Sequence, residues 1–116
     1  MSSTPSNSRR IAIVAGDGIG KEVVPEGLRA LEAAAARFDI GFDWTELDWS
    51  CEQYAKSGQM MPEDGLETLA GFDSIFLGAV GFPGVPDHVS LWGLLIPIRR
   101  AFAQYANVRP VKLFEG

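Results

Sequence analysis

The sequence predicts an α/β fold with a mostly parallel sheet. Three observations carry that expectation. Ile11-Ala12-Ile13-Val14-Ala15 is a continuous apolar run of the kind found in strands covered on both faces. A glycine-rich turn follows it and leads into a long stretch of helical periodicity. A second strongly apolar run, Phe72 to Ala79, comes only after further helical segments, so strands alternate with helices.

The elements are expected in this order. Residues 1–9 form a small, polar, disordered tail, and residues 10–116 form one α/β segment. The first strand ends in Gly16-Asp17-Gly18-Ile19-Gly20. The first helix runs to about Phe38, because Val24, Leu28, Leu31, Ala35 and Phe38 fall on one helical face. Phe42 to Leu47 is a second strand with imperfect alternation. Cys51 to Gly58 and Pro62 to Leu69 are short helices, Pro62 standing at the tolerated first turn. Phe72 to Ala79 is a third strand, and Val80 to Asp87 is a turn-rich loop. Residues 91–105 form a helix with Leu91, Leu94, Leu95, Ile98, Phe102 and Tyr105 on its apolar face, and Val108 to Phe114 is a fourth strand.

Composition removes several function classes. Ten Lys plus Arg against fifteen Asp plus Glu leave a net charge of −5, which argues against a nucleic-acid partner held by bulk charge. Cys51 is the only cysteine, so an intrachain disulfide and a Cys-rich metal site are excluded, and a reducing, cytoplasmic setting is the expectation. No run approaches the ~18 apolar residues of a membrane span, so no membrane association is expected.

Several features could carry chemistry. Gly16-x-Gly18-x-Gly20 sits between a strand and a helix, but the dinucleotide fingerprint requires a sixth-position glycine where Lys21 stands. The segment therefore reads as a tight strand-to-helix turn with some ligand contact, not as a Rossmann loop. Arg99 and Arg109 lie ten residues apart across a chain reversal, and two guanidinium forks aimed at one point suit a small dicarboxylate. From spacing alone, solvated arginines on a helix and a strand end are the favoured reading. The loop Gly81 to His88 follows an apolar strand, where α/β proteins commonly bind ligands. His88 shows no partner base or nucleophile, Cys51 reads as a packed small residue, and Asp39 and Asp43 read as turn acids. Trp44, Trp49 and Trp92 read as core or interface anchors.

The segments IAIVAGDGIGKEVVPEG, FDSIFLGAVGFPGVPDHVSLWGLLIPIRR and NVRPVKLFEG resemble the β-decarboxylating dehydrogenases, the isocitrate and isopropylmalate dehydrogenase family. DWSCEQYAKSGQMMPEDGL and DHVSLWGLLIPIRR are most similar to its tartrate dehydrogenase/D-malate dehydrogenase branch. The resemblance implies a partial fold of that family's own type, not a Rossmann fold. It implies an NAD-dependent oxidoreductase that oxidises and decarboxylates a small 2-hydroxy dicarboxylic acid with Mg2+ or Mn2+, and a homodimer at full length. Carried over by motif, Arg99, Arg109 and Ser90 are substrate-binding, and Ile19, Gly81, Phe82, Pro83, Leu91 and Trp92 are cofactor-binding. Asp17 and its neighbouring glycines shape the turn beside the nucleotide site. No catalytic residue and no metal ligand maps onto this stretch. The resemblance places them C-terminal to it, so these 116 residues alone are expected to be inactive. A truncated interaction module and a small nucleotide-binding domain are the alternatives.

Overall fold

A computed structural model describes residues 7–116. The elements are β1 (Ser8–Gly16), α1 (Ile19–Phe38), β2 (Gly41–Glu46), α2 (Cys51–Ser57), α3 (Gly65–Ala70), β3 (Ser74–Ala79), α4 (Asp87–Ser90), a π-helical segment (Leu91–Leu95) and α5 (Ile96–Ala101). The three strands form one parallel sheet in the order β2-β1-β3. The parallel α/β expectation therefore holds. The tail expected over residues 1–9 lies outside the described residues for 1–6, and Ser8 and Arg9 belong to β1, where they pair with Gly41 and Phe42.

Strand alternation sorts the sheet into two faces. Ile11, Ile13, Trp44 and Phe76 share the face covered by α1, where Gly27 approaches the Phe76 ring and Val24 approaches Gly78. Ala12 and Val14 point the other way, into a core with Trp49, Cys51, Met60, Leu69, Leu94 and Ile98. That core joins β1 to α2, α3 and the helix spanning residues 87–101. α1 ends as its apolar stripe does. Asp39 takes up the left-handed conformation at φ 55° and returns its N–H to the Ala35 carbonyl. Asp43 lies beyond it in β2, so the two acids do not share a helix face.

The last helix departs from expectation at both ends. It begins at Asp87, four residues early, and ends at Ala101. Pro97 has no N–H to give, and the turn before it widens: the Ile96 N–H reaches back five residues to the Leu91 carbonyl. The wider turn shifts the helical phase by roughly one residue. Leu94 and Ile98 remain buried, but Leu91 is 39% exposed and Trp92 56% exposed. Tyr105 falls beyond the helix end and is fully exposed rather than on an apolar face.

The fourth strand expected over Val108 to Phe114 does not form. Residues 104–116 carry no regular structure, and Val108, Val111, Leu113 and Phe114 are exposed. A strand exists only through ladder hydrogen bonds. The chain turns away at Ala103, with φ 50°, and closes the helix end by a hydrogen bond from the Gln104 N–H to the Arg99 carbonyl. The outer edge of β3 is left without a strand partner among the described residues.

Candidate functional site

The strand order β2-β1-β3 reverses direction at β1: one connection leaves it for β2, the next returns across it to β3. Ligands of open parallel sheets sit outside the carboxyl ends of the strands at such a reversal. Here that point is the crevice between Gly16-Asp17, after β1, and Ala79-Gly81, after β3.

Glycines let the backbones meet there. Gly16 has φ 81°, and a Cβ on it would overlap the Ala79 carbonyl oxygen and stand 3.1 Å from Val80. A Cβ on Gly20 would overlap the Ala15 carbonyl oxygen and lie 2.8 Å from the Ala79 nitrogen. Gly78 faces the same Ala15 carbonyl and the Val24 side chain. Gly16 and Gly20 therefore serve close packing of β1, α1 and β3, while Gly18 stands in open space and supplies the turn's positive φ of 49°, in line with the tight-turn reading.

Asp17 sits at the centre of the crevice, only 3% exposed. Its N–H donates to the Ala79 carbonyl at 2.6 Å. Its Oδ2 accepts from the Cys51 N–H at 2.9 Å and the Gly81 N–H at 3.3 Å, and its Oδ1 accepts from the Glu52 N–H at 3.1 Å. Ser50 Oγ accepts from the Gln53 N–H at 3.1 Å, so the first three amides of α2 are all satisfied by side-chain oxygens. Sequence reasoning assigned Asp17 a turn. It missed the link to α2, because two amides 34 and 35 positions away leave no local signature.

Burial pushes the Cys51 thiol above its ordinary value of 9.0, and the Asp17 carboxylate pushes it further. Because the folded pKa is raised, the contribution to stability is complete below the unfolded pKa and is lost as pH rises through the folded one. Cys51→Ser is therefore expected to flatten the loss of stability above about pH 9. Urea midpoints measured across the alkaline range check this; an unchanged slope contradicts it. Lys21 and Glu52 form an exposed ion pair beside the crevice, which raises the pKa of the first and lowers that of the second.

The residues singled out from sequence are spread along this end of the molecule and down the last helix. Ile19, Phe82, Leu91 and Trp92 are exposed apolar side chains on segments leaving the carboxyl ends of β1 and β3. Gly81 and Pro83 stand in the same exposed loop. Ser90 is buried, and its Oγ donates to the Asp87 carbonyl at 3.0 Å. Arg99 lies nine residues further on, about 13 Å along the helix axis, and lines a shallow groove with Ile96, Arg100, Ala103, Gln104 and Tyr105. Arg109 belongs to the exposed stretch 104–116 and is not among the lining residues of that groove. The expected opening of a strand at Arg109 is thus corrected along with the strand itself. Arg100 stacks over the Trp92 ring at 5.1 Å, so Trp92 is a surface anchor, unlike the buried Trp49. His88 is exposed. Beside the crevice, Ile13, Gly16, Lys21, Glu46, Asp48 and Ser50 help line a cavity of about 240 Å³.

Among the described residues there is no group of three or more His, Cys, Asp and Glu side chains placed to hold a metal ion, and no helix is long and apolar enough to cross a membrane.

Comparison with known proteins adds to this geometry. Residues 10–116 match the family described as isocitrate/isopropylmalate dehydrogenase. The chain is 56% identical over 109 residues to a decarboxylating D-malate dehydrogenase of Escherichia coli (strain K12), covering 92% of this chain and 30% of that protein. It is 52% identical to a tartrate dehydrogenase/decarboxylase of Pseudomonas putida, covering 97% of this chain and 31% of that protein. The chain thus spans about three tenths of the length of these relatives. A crystal structure of a β-decarboxylating dehydrogenase from Thermococcus kodakarensis, in the apo form, superposes with a TM-score of 0.60 at 27% identity, covering 84% of this chain and 27% of that one.

Proposed function

The chain belongs to the isocitrate/isopropylmalate dehydrogenase family, and on that footing we propose that it supplies part of the substrate and nicotinamide site of an NAD-dependent enzyme that oxidises and decarboxylates D-malate or tartrate. The observation that carries the proposal is the match to D-malate and tartrate dehydrogenases at 52–56% identity over a stretch containing the switch-point crevice and Arg99. Half-identical sequence across the whole of this region supports a shared substrate class. The chain spans 30% of the D-malate dehydrogenase, and the proposal assigns the remaining catalytic groups to the rest of such an enzyme.

The residues present suit a nicotinamide cofactor. Ile19, Phe82, Leu91 and Trp92 offer exposed apolar surface for a flat ring, and the Gly81-Phe82-Pro83 backbone borders it. A nicotinamide, when bound, supplies the acceptor for hydride from the substrate carbon that bears the hydroxyl. The chain's own part is orientation. Arg99 and Arg109 each present a planar fork of donors that matches a carboxylate, and fixing both carboxylates of a dicarboxylic acid leaves the hydroxyl-bearing carbon one attitude toward the ring. Ser90 Oγ donates to the Asp87 carbonyl within α4 and keeps its lone pairs to accept a hydrogen bond from the substrate. The described residues do not fit a Mg2+ or Mn2+ site, so the divalent cation is assigned to the uncovered part of the enzyme. A homodimer and a cytoplasmic setting complete the proposal.

A chimera tests it. Residues 10–116 of this chain are placed in the E. coli D-malate dehydrogenase in exchange for the segment they match. The expected result is D-malate-dependent NADH formation within about tenfold of the parent enzyme, roughly the range of modest loss in packing at a new boundary. A folded chimera without D-malate or tartrate turnover would contradict the proposal. The isolated chain is expected to show no turnover in the same assay.

A further inference from the structure

The Asp17 carboxylate is buried, yet no described lysine or arginine pairs with it; the nearby Lys21 ammonium is taken by Glu52. Three backbone amides hold it instead, from two segments far apart in sequence. Two of them belong to the first turn of α2. The third, Gly81 N–H, is the first amide of the exposed loop that runs to Pro86. The loop's remaining backbone hydrogen bonds are local, as from the Val85 N–H to the Phe82 carbonyl at 3.0 Å. One oxygen, Oδ2, therefore connects the loop to α2, and Cys51, whose N–H it holds, is fully buried there.

We infer that Asp17 is a positioning residue: its carboxylate is a clasp that fixes where the loop 81–86 starts, and so where Gly81, Phe82 and Pro83 stand. The inference rests on the proposed function for its purpose, since those three residues border the nicotinamide there. It rests on the hydrogen bonds alone for the clasp. The bond to Gly81, at 3.3 Å, is the longest of the three and the one that reaches the loop. A carboxylate is required because both of its oxygens accept. A carboxamide has a single acceptor oxygen and must turn its NH2 group toward an amide that also donates.

Amide hydrogen exchange, followed by NMR on the 116-residue chain, tests the clasp. In the unaltered chain the Gly81 amide is expected to exchange at least about tenfold more slowly than the unbonded Gly84 amide in the same loop. In Asp17→Asn the Gly81 amide accelerates about tenfold, and the thiol reagent reaction of Cys51, the only cysteine, accelerates with it. Ser50→Ala removes only the bond to the Gln53 N–H and should leave Gly81 within about twofold. Equal acceleration by Ser50→Ala would overturn the inference, because fraying of α2 alone would then account for the effect. So would a folded Asp17→Asn chain with Gly81 unchanged. If Asp17→Asn does not fold, the unaltered chain decides: a Gly81 amide exchanging as fast as Gly84 overturns the clasp. NAD added to the unaltered chain separates the two readings. Shifts at the Gly81 and Phe82 amides support the cofactor role; protected Gly81 without such shifts counts against that role and supports the clasp by itself.

Discussion

Gly20→Ala is expected to destabilise the chain by about 3 kcal/mol or more, the upper range for forcing atoms into a packed interior. The added carbon would meet the Ala15 carbonyl, the Ala79 nitrogen and the Ala79 carbonyl oxygen, the last at 3.0 Å. All three are backbone atoms of β1 and β3, and none can rotate aside as a side-chain tip would. Relief requires α1 to lift from the sheet or β3 to part from β1, and either movement opens the crevice that holds Asp17. Gly58→Ala is the internal comparison. Gly58, unlike Gly20, has positive φ, at 79°, but nothing lies within 4 Å of the added carbon, so its cost is limited to the left-handed backbone, about 1 kcal/mol. Urea denaturation of the two variants side by side measures the difference. Equal losses would show that close backbone approach does not hold this end of the sheet together.

The second large effect concerns the arginines. In the active chimera, Arg99→Met is expected to lower kcat/KM for D-malate about 100-fold, as expected when one half of a charged, hydrogen-bonded pair is removed from a closed site. Arg109→Met should do the same. Arg100→Met is the control. Its guanidinium lies over Trp92, and it should stay within about threefold, the scale of a single exposed cation–π contact. Steady-state kinetics with D-malate varied at fixed NAD checks all three. Loss confined to Arg100→Met would reverse the assignment along the helix.

The parts of the fold legible in the sequence are those set by local pattern. The apolar run at Ile11–Ala15, the periodicity ending at Phe38 and the run ending at Ala79 marked β1, α1 and β3 because burial and the side-chain period speak through neighbouring residues. Two features were not legible. The π-helical turn depends on how the chain resolves the donor missing at Pro97, and a proline early in a helix is equally compatible with a regular first turn. Val108 to Phe114 has strand composition, but composition cannot supply a neighbour, and these residues meet no ladder here. The candidate site divides the same way. Arg99 was placed correctly late in its helix. The Asp17 network depends on amides brought in by folding from α2 and from the loop after β3, and no spacing rule contains them.

The claim on which the functional account stands is that Arg99 and Arg109 grip one small dianion together. A double-mutant cycle in the chimera measures this most directly, using kcat/KM for D-malate in the parent, Arg99→Met, Arg109→Met and the double variant. Two forks serving one substrate are coupled, so the double variant is expected to fall short of the product of the single losses by about tenfold. Losses that multiply independently, or single variants that stay near the parent value, would mean that the two side chains do not act on the same molecule.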